Sequence, residues 1–196
     1  IAGLILQGAP QGSLADVLPY QYQEIALDYL RDVVDSDEDG LLSLDDIADV
    51  PMGSTQLMLP FFFYEPGSPT DNPTVNQFVD QNGDDLIDID EELAPMISMY
   101  LSNIGGFLPP VDASYDTGAL IAEANIPTLL LHGDNDGWVS VENAEAIAEA
   151  SPDNTTLIRY PELGHALSVT EILAEDGFYP MDADPLADLV AWLADN

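Results

Sequence analysis

The chain has 196 residues, and its hydrophobic fraction of 46% is ample for a folded core. It carries 37 acidic residues against two arginines and no lysine, which gives a formal net charge of −35. A surface of this charge repels phosphate backbones and anionic lipid headgroups, so nucleic acids and acidic membranes are disfavoured as partners. No apolar run is long enough to span a bilayer.

The charge and the cysteine content give information on the cellular location of the protein. Cysteine is absent, so no disulfide framework indicates an oxidising environment. The charge favours cations and a high ionic strength, because screening relieves the repulsion between carboxylates. We therefore expect a secreted protein of a salt-rich environment, with the cytosol of a salt-accumulating cell as the alternative.

The chain begins with a short apolar run. Ala2 to Gln7 ends at a Gly-Ala-Pro turn, a pattern typical of a buried parallel strand. The next stretch with this pattern begins only at Ile126. Such a gap is too long for a connection between a strand and a helix, which usually needs only a few residues. We therefore interpret residues 13–125 as an inserted domain.

The insertion contains an acidic loop after a predicted helix. Residues 20–34 have apolar side chains at helical spacing, and residues 35–46 follow directly. In this loop, oxygen-bearing side chains occupy positions 1, 3, 5, 9 and 12, glycine occupies position 6 and leucine position 8. Hard cations need several oxygens that converge on one point, and this spacing wraps the backbone around them. The predicted ligands are Asp35, Asp37, Asp39, the Leu41 carbonyl, Ser43 and Asp46.

A second loop repeats the pattern at residues 80–91. Its predicted ligands are Asp80, Asn82, Asp84, the Leu86 carbonyl, Asp88 and Glu91. Each loop departs from the pattern once: Asp46 has a shorter arm than the usual glutamate, and Asp85 occupies the turn position usually given to glycine. The two copies resemble a pair of EF-hand calcium sites, so we expect a helical cap that binds Ca²⁺. The alternative is that both loops are solvated runs of charge.

The residues after 126 carry the pattern of a sheet edge. Thr128 to Leu131 follows a proline and ends in a cluster of Gly, Asp and Asn, which predicts a short strand buried on both faces. A second strand is predicted at Thr155–Tyr160, and the loop after it contains His165. Open α/β folds keep their chemistry at the carboxyl edge of the sheet, so we expect Asp134, Asp136 and His165 to lie there. A carboxylate and a histidine on neighbouring loops can form the acid and base of a nucleophile-base-acid triad.

Helical patterns alternate with these strands. Ala119–Ala124 precedes the first strand, Ser140 can cap a helix that runs to Ala150, and Asp184 with Pro185 begins another helix near the end. Strand, helix, strand and helix in this order are typical of a doubly wound sheet. The predicted fold class is therefore α/β.

These residues resemble the α/β-hydrolase family. In that family the acid follows a strand in a G-x-x-D pattern, and the base follows the next strand in a G-H pattern. Residues 133–136 and 164–165 match both patterns. The resemblance implies Asp136 as the acid and His165 as the base. It also implies a mainly parallel hydrolase core formed by residues 1–12 and 126–196, with the insertion as a cap over the active site.

Alternatives stay open for the residues around this pattern. Asp134 is the rival acid, because the geometry of the turn decides which carboxylate faces the histidine. Asp136 would otherwise be a turn-forming residue, and His165 an ordinary loop residue. His132, at the end of the first strand, is expected to be structural and hydrogen-bonded to the loop that follows.

The resemblance implies a hydrolase whose nucleophile lies outside this sequence. The elbow motif G-x-S-x-G does not occur in the 196 residues, and in the family it precedes the matched region. We therefore expect the chain to be the C-terminal part of a longer protein and to be inactive by itself. Serine is the commoner nucleophile of the family and aspartate the alternative. This favours a serine esterase or lipase that acts on a small ester substrate, with Ca²⁺ in a structural or regulatory role.

Two other functions fit the same patterns. A serine peptidase of the prolyl-oligopeptidase type would have the same acid and base loops. A non-enzymatic calcium-binding protein on a degenerate hydrolase scaffold would keep the loops of the insertion but lack a nucleophile at the elbow.

Overall fold

The computed structural model describes residues 3–51, 53–69, 71–104, 106 and 115–195. Within these residues the strands are β1 (Leu4–Gln7), β2 (Leu41–Leu42), β3 (Ile87–Asp88), β4 (Thr128–Gly133) and β5 (Thr155–Tyr160). The α-helices are α1 (Leu14–Pro19), α2 (Leu27–Tyr29), α3 (Leu44–Ala48), α4 (Ser54–Phe62), α5 (Ala94–Ile104), α6 (Thr117–Ala124), α7 (Val141–Ala150) and α8 (Ala183–Asp195). The described elements also include π-helical segments at Tyr20–Ala26, Leu30–Val34 and Ile89–Leu93, and a 3₁₀ helix at Leu173–Glu175. None of the described helices is both long and apolar enough to cross a membrane.

Three of these strands form a parallel sheet in the order β1-β4-β5. Leu130 of β4 pairs with Leu6 on one side and with Leu157 on the other. The central strand β4 is buried along its whole length, because neighbours cover both of its edges and both of its faces. Both strands predicted after residue 126 are confirmed, and the first of them extends to Gly133. The chain has an α/β fold with a mainly parallel sheet, which is consistent with part of an α/β-hydrolase.

Helices cover both faces of this sheet. On one face Leu130 packs with Ile121 of α6 and Ile147 of α7. On the other face Leu129 and Leu131 belong to a second cluster, against which Trp192 of α8 packs. Successive side chains of a strand point to opposite faces, so this alternation along β4 produces the doubly wound arrangement.

Helix α6 packs against the sheet and is bonded to the segment after β1. The Gln11 amide donates to Asp116 at 2.8 Å, and the Thr117 hydroxyl donates to the Pro10 carbonyl at 2.7 Å. These bonds tie the start of α6 to the residues that follow β1. The division into core and cap itself stays a prediction, and most of the connection at residues 105–116 lies outside the described residues.

The described residues between α1 and α5 have a hydrophobic core of their own. Helical segments follow one another without a break from Leu14 to Val34, as predicted for residues 20–34. Strands β2 and β3 contribute Leu42 and Ile87 to this core. Its other buried members are Ala26, Leu27, Leu30, Ile47, Met58, Leu59, Phe62, Phe63, Val75, Val79, Ile89, Leu93 and Ile97.

Candidate active site

The loops that follow β4 and β5 lie side by side. The Asp134 N–H donates to the Tyr160 carbonyl at 2.9 Å, and the Asn135 N–H donates to the Leu163 carbonyl at 3.0 Å. Gly133 makes this approach possible, because a Cβ at this position would overlap the Leu163 carbonyl oxygen. The glycine of the G-x-x-D pattern is therefore needed for the close approach of two backbones.

Asp136 and His165 form a hydrogen-bonded pair at this edge of the sheet. His165 Nδ1 lies 2.9 Å from Asp136 Oδ2, and Asp136 is 1% exposed. The other carboxylate oxygen, Oδ1, accepts the backbone N–H groups of Trp138 and Val139, each at 2.8 Å. Both oxygens act as acceptors, so the shared proton lies on His165 Nδ1 and Nε2 is the basic nitrogen. The structure brings the predicted acid and base together, and their catalytic role stays a prediction.

The surroundings of His165 favour its protonated form. Burial alone would lower the pKa of His165, but the hydrogen bond and charge of Asp136, with the charge of Asp176, raise it above its ordinary value. The imidazole keeps 25% of its side-chain surface exposed. A partly exposed imidazole with a raised pKa is suited to accept a proton from a neighbouring hydroxyl.

His132 and Asp134 have other partners. His132 is fully buried and its Nε2 donates to the Val139 carbonyl at 2.9 Å, so the expected bond to the following loop is confirmed. Burial lowers the pKa of His132, although the charge of Asp136 opposes this shift. Asp134, the rival acid, accepts a hydrogen bond from Arg159 Nε at 2.8 Å. Asp136 is therefore the carboxylate of this turn that bonds to His165.

Three residues for which the sequence predicts no functional role contact the pair. Gly8 has a φ of +52°, and a Cβ at this position would lie 2.6 Å from His165 Nδ1. The Gln7 amide donates to the His165 carbonyl at 2.9 Å. Gln7 ends β1 and Gly8 follows it, and since β1 is the parallel neighbour of β4, its carboxyl end reaches the same edge. The third is Asp176, which accepts the His165 backbone N–H at 2.7 Å.

An aromatic surface lies beside the imidazole. Phe178 and Trp138 have ring centroids 5.0 Å apart, and Phe178 meets His165 edge to face at 6.1 Å. Phe178 is nevertheless 68% exposed. An exposed aromatic ring next to a candidate base offers apolar contact area to a bound molecule.

The insertion contacts the loop that carries Asp136. The Tyr20 hydroxyl donates to the Asp136 carbonyl at 2.8 Å, and the Gln21 amide donates to the Trp138 carbonyl at 2.7 Å. Burial, followed by the charge of Asp136, raises the pKa of Tyr20, so this hydroxyl stays protonated as a donor. The first helical stretch of the insertion is thus fixed against the candidate site.

The two acidic loops of the insertion lie next to each other. Strands β2 and β3 pair antiparallel, with Leu42 opposite Ile87. Both residues occupy position 8 of their loops, so the repeated sequence pattern is matched by a repeated structure. Positive φ angles recur at positions 4 and 6 of both loops, at Glu38, Gly40, Gly83 and Asp85.

In the first loop the structure brings three predicted ligands together. Carboxylate oxygens of Asp35, Asp37 and Asp39 lie within 4.8 Å of one another. The charge of Asp39 is the main reason why the pKa of Asp37 is raised. Asp46 is instead bonded to Ser43, whose backbone N–H and hydroxyl donate to Asp46 Oδ2 at 2.8 and 2.7 Å. These two predicted ligands therefore cap the start of α3.

In the second loop Glu92, rather than the predicted ligand Glu91, has the side chain that bonds to the loop backbone, and the role of Glu91 as a ligand stays a prediction. Glu91 is exposed, whereas Glu92 is buried. Glu92 accepts three backbone N–H groups of the loop, those of Gln81, Asn82 and Asp88. Both glutamates lie in the π-helical segment Ile89–Leu93, which begins within the loop and has a wider turn than an α-helix. Within the described residues, the convergent carboxylates of the first loop have no counterpart in the second.

The remaining predicted ligands of the second loop organise its backbone. The side chains of Asp80, Asn82, Asp84 and Asp88 each accept a backbone N–H from within the loop or from the turn that follows. Asp80 accepts two, from Gly83 at 2.7 Å and from Asp85 at 3.1 Å. These bonds hold the loop closed around Asp80.

Comparison with known proteins finds little similarity. Neither a family model nor a curated protein sequence matches the chain. One solved structure with partial similarity is that of a protein from Klebsiella pneumoniae subsp. pneumoniae MGH 78578, provisionally assigned as a dienelactone hydrolase. Its sequence identity is 20% and its TM-score is 0.34. The similarity covers 45% of this chain and 38% of that one. The assignment of the α/β fold is based on the strand order of the sheet in this chain and not on that similarity.

Proposed function

We propose that the chain carries the acid and base of a hydrolase that cleaves ester bonds with a serine nucleophile. The observation that supports this most is the 2.9 Å hydrogen bond between the buried carboxylate of Asp136 and His165 Nδ1. The two side chains follow neighbouring parallel strands, at the edge where open α/β folds hold their catalytic groups. In such a pair the carboxylate fixes the tautomer of the imidazole and stabilises the imidazolium.

In the proposed reaction His165 Nε2 takes the proton of the serine hydroxyl while the serine oxygen attacks the ester carbonyl carbon. The proton then passes from Nε2 to the departing alcohol, and a water molecule hydrolyses the acyl-serine by the same route. Asp136 accepts the Nδ1–H throughout. The G-x-S-x-G motif does not occur in the 196 residues, so the proposal assigns the serine and the oxyanion donors to no residue of this sequence.

The surface next to His165 favours a neutral ester with an apolar group. Phe178, which packs against Trp138 with its ring tilted by 40°, can cover a short acyl or alkyl chain while the ester carbonyl lies near Nε2. The net charge of −35 disfavours anionic substrates. A peptidase would use the same pair of side chains, so hydrolysis of esters must be compared with hydrolysis of peptides.

The test is hydrolysis of p-nitrophenyl acetate and butyrate, beside a prolyl peptide substrate, by the protein expressed from its complete coding sequence. We expect His165→Ala to lower kcat/KM for the esters by about 10³-fold or more, because the base is lost. The control is Glu162→Gln, which changes an exposed residue of the same loop. Ester hydrolysis that survives His165→Ala would contradict the proposal. A wild-type protein with no activity and no labelling by a serine-directed fluorophosphonate would favour a degenerate hydrolase scaffold.

A second proposed function is the binding of Ca²⁺ by residues 35–46 and 80–91. The observation that favours it is the pairing of Leu42 with Ile87, which places two loops of the same pattern side by side. Asp35, with its two neighbouring aspartates in the first loop, offers the hard oxygen donors that Ca²⁺ prefers. The ion would offset repulsion between these carboxylates, which is a structural role in the insertion.

We expect Ca²⁺ to stabilise the chain by about 2.7 kcal/mol per site at a free concentration 100 times its Kd. Asp35→Asn should remove most of the gain from the first loop, because Asp35 is the buried member of the convergent group. Asp153→Asn, which removes an exposed carboxylate outside the loops, is the matched control. Scanning calorimetry with Ca²⁺, Mg²⁺ and NaCl at equal ionic strength measures the effect. Equal stabilisation by NaCl would indicate charge screening alone and contradict a specific site.

A further inference from the structure

A buried carboxylate joins the two loops of the candidate site. Asp176 lies directly after the 3₁₀ helix and is 0% exposed. Its Oδ2 atom accepts the backbone N–H of His165 at 2.7 Å and the backbone N–H of Gly137 at 2.9 Å. Its Oδ1 atom accepts the Thr170 hydroxyl at 3.1 Å. One oxygen therefore bonds both to the loop that carries the candidate acid and to the loop that carries the candidate base.

Other contacts fix the position of Asp176 against these loops. The Trp138 indole N–H donates to the Asp176 carbonyl at 2.8 Å. A Cβ on Gly164 would overlap Asp176 Oδ1, and a Cβ on Gly137 would overlap the Leu173 carbonyl oxygen. Two glycines, one on each loop, thus let the segment around Asp176 approach both backbones closely.

Within the described residues, neither arginine side chain pairs with Asp176. The chain has no lysine and two arginines. Arg31 pairs with Asp28 and Asp90, and Arg159 pairs with Asp134 and Glu145. A buried carboxylate in this position is stabilised by its three hydrogen bonds and by any positive charge that forms nearby. The imidazolium of His165 is such a charge.

We propose that Asp176 is a positioning residue for the Asp136–His165 pair, which holds the two loops together and favours the protonated imidazole through its negative charge. Its effect on catalysis rests on the function proposed above, whereas its effect on the imidazole does not. The charged and titratable groups that act on His165 are then Asp136 and Asp176, which favour the imidazolium, and His132, which opposes it when protonated.

Burial raises the pKa of Asp176, and the hydrogen bonds from His165 and Gly137 oppose this shift. The two backbone donors on Oδ2 and the Thr170 hydroxyl on Oδ1 stabilise the carboxylate against this desolvation cost. An uncharged asparagine could accept the same two backbone N–H groups through its carbonyl oxygen and meet the Thr170 hydroxyl with its amide. A residue that served only to hold the loops would work equally well as asparagine, so the charge is the property to test.

The decisive experiment is the NMR titration of the His165 imidazole in the wild-type chain and in Asp176→Asn. We expect the pKa of His165 to fall by about half a pH unit or more in the variant, because one of the two negative charges near the imidazole is lost. Glu171→Gln removes an exposed carboxylate from the same segment and is the matched control. A His165 pKa in Asp176→Asn that equals the value in Glu171→Gln would overturn the proposal.

Kinetics of the protein expressed from its complete coding sequence separate the two effects of Asp176. Asp176→Asn should move the acid limb of the pH-rate profile for ester hydrolysis to lower pH and leave the plateau kcat within a few-fold. Asp176→Ala should also lower the plateau by about 10- to 100-fold, because both loops lose their common acceptor. An unshifted acid limb in Asp176→Asn would contradict the charge effect. If the wild-type protein hydrolyses no ester, the proposed function fails, while the NMR titration still decides the role of Asp176.

Discussion

Asp136→Asn is expected to lower kcat for ester hydrolysis by about 10³- to 10⁴-fold. The hydrogen bonds of the wild-type carboxylate determine how the new amide is oriented. Asp136 Oδ1 accepts the N–H groups of Trp138 and Val139, so only the carbonyl oxygen of asparagine fits on that side. The amide NH₂ must then face His165 Nδ1. It donates to this nitrogen, places the imidazole proton on Nε2, and leaves no basic nitrogen for the nucleophile.

Asp134→Asn is the matched control for this prediction, because it changes a carboxylate of the same turn that bonds to Arg159. We expect it to retain kcat within a few-fold, and a loss as large as that of Asp136→Asn would reopen the choice of acid. NMR adds a measurement that needs no activity. The pKa of His165 is raised by Asp136, so Asp136→Asn should lower it.

The pH dependence of stability in Asp136→Asn follows from the direction of the same shift. A histidine whose pKa is raised on folding contributes stability that is fully present below its unfolded pKa and is lost as pH rises through the folded pKa. Asp136→Asn removes the main interactions that raise the pKa of His165. Its loss of stability should therefore be larger at mildly acidic pH than at mildly alkaline pH.

The sheet and its edge could be predicted from the sequence because their signals are local. A continuous apolar run that ends in a turn of Gly, Asp and Asn indicates a buried strand wherever it occurs, and both such strands are observed. The parallel order then brings their carboxyl ends together, which is why Asp134, Asp136 and His165 could be placed at one edge before any distance was known. The choice of Asp136 over Asp134 came from the resemblance to the α/β-hydrolase family, and the bond from His165 to Asp136 agrees with it. The acidic loops 35–46 and 80–91 were recognised in the same way, from the repeated spacing of their oxygen-bearing side chains. In the structure Leu42 of the first loop pairs with Ile87 of the second.

The residues that the sequence did not reveal depend on contacts between distant segments or on the geometry of a helical turn. Asp176 lies in a loop without periodicity, and its partners are backbone N–H groups that any residue could offer. Gly8 needs its glycine because His165, far away in the chain, lies against it. Glu92, rather than Glu91, bonds to the backbone of the second loop, and both lie in a π-helical segment whose turn differs from the α-helical spacing that sequence patterns assume.

Gly133→Ala is expected to destabilise the chain by about 3 kcal/mol or more, the upper end of the range for overpacked sites. A methyl group here would overlap the carbonyl oxygens of Leu163 and Gly164, which are backbone atoms and cannot turn aside as a side chain can. The two loops must therefore separate. Separation breaks the bond from the Asn135 N–H to the Leu163 carbonyl, and it moves His165 away from Asp136. Urea denaturation measures the loss of stability.

Gly67→Ala distinguishes this steric effect from the ordinary cost of replacing a glycine. Gly67 has a φ of +87°, and nothing lies within 4 Å of a Cβ at this position, so the substitution meets torsional strain without a clash. That strain costs about 1–2 kcal/mol. At Gly133 the reverse holds: alanine can adopt the backbone torsion angles of this residue, but backbone atoms of Leu163 and Gly164 occupy the space that its Cβ would need. If Gly133→Ala cost no more than Gly67→Ala, the two loops could separate without penalty. The glycine of the G-x-x-D pattern would then have no part in holding the candidate acid against the candidate base.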